Sequence, residues 1–171
     1  IDTDTLHYDT RESVAHVTGP SKVTSGDNVI HTTDAWLNSK TNQSQLFGRS
    51  TIINKEKTIT GDSLYHNSET GVNKGFGNVV FNDSLNKNAL LCGHLEYNDK
   101  TGYGFATQQA LMKEFSQPDT LYVHADTLKM YTYNIDTDSV YRVVHGFDKV
   151  KAYRRDVQAV CDSMVFTSID S

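Results

Sequence analysis

A short phrase returns six times along this chain. Units of one length that recur must stack on one another, so this feature restricts the fold more than any other. The phrase is Asp, any residue, a Leu-like residue, any residue, an aromatic. It reads Asp4-Thr5-Leu6-His7-Tyr8, Asp34-Ala35-Trp36-Leu37-Asn38 and Asp62-Ser63-Leu64-Tyr65-His66. It continues as Gly93-His94-Leu95-Glu96-Tyr97, Asp126-Thr127-Leu128-Lys129-Met130 and Asp162-Ser163-Met164-Val165-Phe166. Successive copies begin 30, 28, 31, 33 and 36 residues apart. A second phrase follows the first three copies: Gly19-Pro20-Ser21-Lys22-Val23, Gly48-Arg49-Ser50-Thr51-Ile52 and Gly77-Asn78-Val79-Val80-Phe81. Weaker versions are Ala106-Thr107-Gln108-Gln109-Ala110 and Gly146-Phe147-Asp148-Lys149-Val150.

Apolar residues alternate in both phrases, the period of a strand with one buried face. Polar segments such as Asn38-Ser39-Lys40-Thr41-Asn42 and Asn98-Asp99-Lys100-Thr101-Gly102 separate them. Asn, Asp and Gly tolerate left-handed backbone and bond to it locally, so these segments read as tight turns. The expectation is an all-β chain of about six two-strand repeats, residues 1–171 forming a single domain, with apolar faces between two facing sheets. Phe105 to Phe115 carries helix-forming residues, but the repeat register assigns it to a strand.

The register points Leu6, Tyr8, Trp36, Leu64, Leu95, Tyr97, Leu128, Met130, Met164 and Phe166 inward from one sheet. Val23, Ile52, Val79, Phe81, Ala110 and Val150 point inward from the other. Such residues pack a core. In a stack of like units they also line a trough suited to an elongated apolar ligand. The candidate residues for contact with such a ligand are Leu6, Tyr8, Trp36, Ile52, Leu64, Val79, Phe81, Leu95, Tyr97, Leu128, Met130 and Val150.

Several function classes lose support. A formal net charge of −5 disfavours nucleic-acid binding through a broad basic face. The histidines include no His-x-x-x-His or Cys–His spacing, so no metal is expected and His7, His66 and His94 read as outward or turn residues. The recurring Asp4, Asp34, Asp62, Asp126 and Asp162 lack the glycine-rich nonapeptide of calcium-binding ladders and read as caps where strands begin. No nucleophile elbow, phosphate loop or dinucleotide fingerprint appears, so binding without a cofactor is expected rather than catalysis. Cys92 and Cys161 occupy one repeat position two repeats apart and are expected to stay unpaired, facing away from the trough. No run of about 20 apolar residues would make a membrane-spanning helix. The opening Ile1-Asp2-Thr3-Asp4 reads as the start of a mature or trimmed segment.

The Asp-x-Leu-x-Tyr, turn, Gly-x-Val-x-Ile rhythm resembles the OstA-like periplasmic lipopolysaccharide-transport proteins of Gram-negative bacteria. Gly61-Asp62-Ser63-Leu64-Tyr65 and Gly75-Phe76-Gly77-Asn78-Val79 carry the likeness best, and it runs from Ile1 to about Phe166. The resemblance implies a β-jelly-roll, or folded taco, whose apolar groove holds the acyl chains of lipid A. It also implies a periplasmic location, and partnership with lipopolysaccharide and with transport proteins or further copies, end to end through sheet edges. Trp36 departs from the aliphatic residue usual at its position. Two other readings stay open: a structural scaffold with a closed interior, and a carbohydrate-active parallel β-helix with an exposed acid cluster.

Overall fold

A computed structural model describes residues 1–134 and 141–169. Eleven strands run in chain order: β1 (Asp2–Asp9), β2 (Val14–Ser25), β3 (Asn28–Asn38), β4 (Gln43–Asn54), β5 (Lys57–Asn67) and β6 (Val72–Asp83). They continue with β7 (Asn88–Asn98), β8 (Tyr103–Glu114), β9 (Leu121–Tyr133), β10 (Tyr141–Arg154) and β11 (Val157–Ile169). All belong to one sheet in which each strand pairs antiparallel with its neighbours in sequence. The two phrases fall on alternate strands as expected, and the Phe105–Phe115 stretch is strand β8 up to Glu114. Among the described residues the two facing sheets expected are instead one sheet, because short hairpin turns keep consecutive strands in one ladder. The antiparallel order also rules out a parallel β-helix.

The turns show why Asn and Asp recur at strand ends. Asp9 Oδ1 accepts the backbone N–H groups of Arg11 and Glu12 at 2.8 and 3.1 Å. Asn38, Asn67 and Asn98 do the same for the residues two and three places on. The fourth residue after each cap, Ser13, Asn42, Gly71 or Gly102, takes the left-handed backbone that closes the loop. Neighbouring turns are then tied together, with Ser39 N bonded to Ser13 O at 3.0 Å and Ser68 N to Asn42 O at 3.0 Å.

Each strand is interrupted near its middle. Between β4 and β5 the register passes from Phe47↔Ser63 to Ser50↔Gly61, so two residues of β4 oppose one of β5. That is a β-bulge, and every strand pair carries an irregularity at the same level. The even-numbered strands supply left-handed residues there: Gly19, Gly48, Gly77 with Asn78, Gln108 with Gln109, and Asp148 with Lys149. Asp4, Asp62, Asp126 and Asp162 therefore sit inside strands, opposite these bulges, with Asp34 paired one residue beyond, and none caps a strand start. Asp62 accepts hydrogen bonds from Asn78 Nδ2 at 2.7 Å and Arg49 Nη1 at 3.0 Å, and these two groups hold its carboxyl below the usual range. A Cβ added to Gly77, at φ +69°, would lie 2.6 Å from Asp62 Oδ2. Gly77→Ala is expected to cost more than the ~1 kcal/mol of left-handed strain. Gly26→Ala, where φ is +56° and nothing lies within 4 Å, should cost only that strain. Urea unfolding of the two variants checks the difference.

The bulges bend the strands sharply. Residues four apart in an extended strand stand about 13 Å from one another. Yet a Cβ on Gly75 would touch both Val79 methyls at 3.1 Å, and one on Gly146 would meet those of Val150 at 3.2 Å. The two halves of a strand thus pack on each other. One inward row, on the strand halves nearest the first hairpin turn, runs Leu6, Val17, Ala35, Leu46, Leu64, Gly75. It continues through Leu95, Ala106, Leu128, Gly146 and Met164. A second inward row, on the other halves, starts Val23, Ile30, Ile52, Ile59, Phe81 and reaches Leu90, Met112, Val123, Ala152 and Ala159. Val17, Leu46, Leu64, Val123, Leu128 and Val150 are fully buried, which one uncovered layer of sheet could not achieve.

Candidate functional site

The interior between the strand halves holds most of the residues singled out from the sequence. Leu64, Val79, Leu95, Leu128 and Val150 are buried, and Ile52, Phe81, Tyr97 and Met130 are partly buried along its margins. Leu6 and Tyr8 share rows with Val17 and Ala15 but lie on the first strand of the sheet, which has a neighbour on one side only, and both are 50% exposed. Trp36 is a true correction. It pairs with His16 and Gln45 on the outer face, is 50% exposed and stacks on the His16 ring at 4.7 Å. Thr33, not Asp34, is the residue opposite the Gly48 bulge, so the second copy of the phrase is shifted by one and its inward residues are Ala35 and Leu37.

The inner surface changes character along the sheet. At the bulge level of β1–β4 it carries hydroxyls: Thr3 and Ser21 bonded at 2.6 Å, Thr32 and Ser50 at 2.8 Å. The carbonyls of Gly19, Asp34 and Gly48 lie 2.7, 3.0 and 3.1 Å from Ser21, Thr32 and Ser50. From β6 onward the same level is apolar, with Val79 paired to Cys92, Ala110 to Ala125 and Val150 to Cys161. Two clusters result. Val17, Val23, Ile30, Ala35, Leu46 and Leu64 form the smaller, while the larger spans β6 to β11.

His66 also departs from expectation. It stands in an inward row between Ser44 and Asn73 and bonds Asn73 Oδ1 through Nδ1 at 2.7 Å. The outer face pairs His16 with Asp34 at 2.9 Å and Lys74 with Glu96 at 3.2 Å. Phe76 and His94 stack there at 4.7 Å. Among the described residues no three His, Cys, Asp or Glu side chains are grouped to hold a metal ion. Two open clefts of about 430 and 450 Å³ are present, one at the bulge level of β2–β4, where Ser21 and Thr32 line it beside Lys22, His31 and Arg49, the other beside Gln45, Tyr65 and Phe76. No residue of the two buried apolar clusters lines either cleft. No family model matches the chain, and no curated protein matches it significantly.

Both cysteines are free, but they face inward, contrary to expectation, because the bulge shifts the parity of their half-strands. They lie on β7 and β11, four strand spacings apart, about 19 Å at the usual spacing and far beyond disulfide reach. Burial pushes the Cys92 thiol up to about 12, so almost none of it is thiolate at neutral pH. Native protein treated with iodoacetamide at pH 8 should lose Cys161 first and Cys92 only with unfolding. Denatured, unreduced protein should titrate two thiols per chain. Equal rates for both in the native state would contradict this placement.

The residues that sequence reasoning missed are Val17, Ile30, Leu46, Leu90, Ala106, Met112 and Val123. All but Ala106, the first residue of a weaker copy of the second phrase, lie on half-strands outside the two phrases. A period-two search restarted on each side of Gly19 and Gly48 would have found Val17 and Leu46.

Proposed function

We propose that this protein is a periplasmic lipid-binding carrier or bridge component in lipopolysaccharide transport to the outer membrane. The observation that carries the reading is the sheet bent along one line of bulges over an apolar interior. In this reading the bent sheet is a folded taco, and the inner rows that run through all eleven strands line its groove. Acyl chains are long and uniformly apolar, and they match an interior extended perpendicular to the strands. Lipopolysaccharide is the ligand in this reading. Other transport proteins or copies of the chain are partners that meet it through sheet edges. Nothing in the reading requires catalysis or a cofactor. The test is mass spectrometry of organic extracts from protein purified without detergent. Lipid A in near-stoichiometric amount supports the carrier, and lipid-free folded protein that also ignores added lipid A rejects it.

A structural scaffold is the second reading. It is favoured by one observation, that Leu46, Leu64 and Leu128 are fully buried and the interior is closed over them. A carrier must part its two strand halves to admit a chain, whereas a scaffold never does.

A further inference from the structure

All three methionines of the chain, Met112, Met130 and Met164, stand in the inward rows of β8, β9 and β11. Two of them flank glycine: Met130 pairs with Gly104, and Met164 with Gly146. The spaces a side chain would fill at those glycines are occupied instead by Tyr97 and Val150. The interior there contains small residues as well, with Ala110, Ala125 and Ala152 at or near full burial. Methionine is unbranched, with three rotatable bonds and a polarisable sulfur, and it re-packs around a guest at low cost. The other end of the interior is built differently. Val17, Val23 and Ile30 are β-branched and stiff at χ1, and the Thr32–Ser50 hydroxyl pair is already satisfied. Opening the sheet there would strand those hydroxyls beside hydrocarbon.

We propose that acyl chains are held only in the β8–β11 part of the interior, where methionines give way, while the β2–β5 part stays closed as a rigid wall. This rests on the lipid-carrier reading and narrows it to one end of the sheet. The occupant is the hydrocarbon of an acyl chain, because Ala110, Ala125, Val150 and the methionines at that end present only apolar side chains. The position also explains how a closed interior and lipid binding coexist. The guest replaces methionine side chains that swing outward, and no permanent void is needed.

The experiment is methyl NMR on the full chain labelled at methionine and isoleucine, titrated with lipid A in a zwitterionic detergent against detergent alone. Lipid A binding is measured on the same samples by sedimentation. The expected result is that the methyls of Met112, Met130 and Met164 shift several-fold more than those of Ile30 and Ile52. A Met130→Ile, Met164→Ile double variant should bind lipid A at least tenfold more weakly while its thermal midpoint stays within a few degrees. If lipid A binds and the isoleucine methyls move as much as the methionines, the partition is wrong and the carrier reading stands. If lipid A does not bind and no methyl moves, both fail. Shifts already complete in detergent alone would also overturn the proposal, since the site would then not select lipid A.

Discussion

Leu128→Asp is expected to unfold the protein or leave it close to unfolding at neutral pH, and to abolish lipid A binding. Leu128 is fully buried in the larger cluster, in register between Ala106 and Gly146. Removing a buried leucine side chain alone costs about 2–5 kcal/mol. The introduced carboxyl has no partner to receive it, so it must enter neutral or draw water in, which adds several kcal/mol more. Domains of this size have about 5–15 kcal/mol to lose. The variant should also show a distinctive pH dependence. Burial raises the folded-state pKa of the new carboxyl above its unfolded value near ~3.9, so the native state binds the extra proton. Stability relative to the parent is then best below the unfolded pKa and falls as pH rises through the folded one. Lys129→Asp, one residue away on the outer face, should change the midpoint little. Circular dichroism melts at pH 4 and pH 7 read both effects. A Leu128→Asp protein as stable as the parent at pH 7 would mean that the interior is not where the register places it.

The strand content and the positions of the two phrases were legible because they depend on local alternation, and Leu64, Leu95 and Leu128 repeat it cleanly. The turns were legible through Asn38 and Asn98, whose side chains bond the backbone within the same loop. What failed is what the bulge changes. Inward residues of β5 run Ile59, Gly61, Leu64, His66, so the step across the break is three, not two. A reader counting in twos from Asp62 reaches Leu64 and His66 correctly in position but assigns His66 to a turn. Working back from the phrase, the same reader has no reason to join Ile59 to the same face. Trp36 misled for a different reason: Thr33 stands at the bulge where four of the other repeats have Asp, and Asp34 drew the phrase one place along. The closed interior could not have been read at all, since it depends on how far each strand bends.

Gly75→Val tests that bend directly, because its sign depends on it. Gly75 is not among the glycines with left-handed backbone, and it lies within β6, paired to Leu64 and Leu95. In an open, unbent sheet such a glycine is a weak point, and valine there should stabilise by up to about 1 kcal/mol through strand preference. In the bent sheet its Cβ falls 3.1 Å from both methyls of Val79 and 3.4 Å from Leu64 Cδ2. Two further methyls have no space between these fully buried neighbours. Overfilling a packed core costs about 1–3 kcal/mol, and the two halves of β6 can relieve the clash only by parting along the bulge at Gly77 and Asn78. Parting would also uncover Val79 and Leu64, so the loss should sit at the upper end of that range. Guanidinium unfolding of Gly75→Val beside Thr60→Val, an outward position on β5, makes the comparison. Destabilisation of the first with little change in the second is the expected outcome. A stabilised Gly75→Val would show that the strand halves do not meet, and the apolar interior, with every lipid-binding assignment resting on it, would have to be given up.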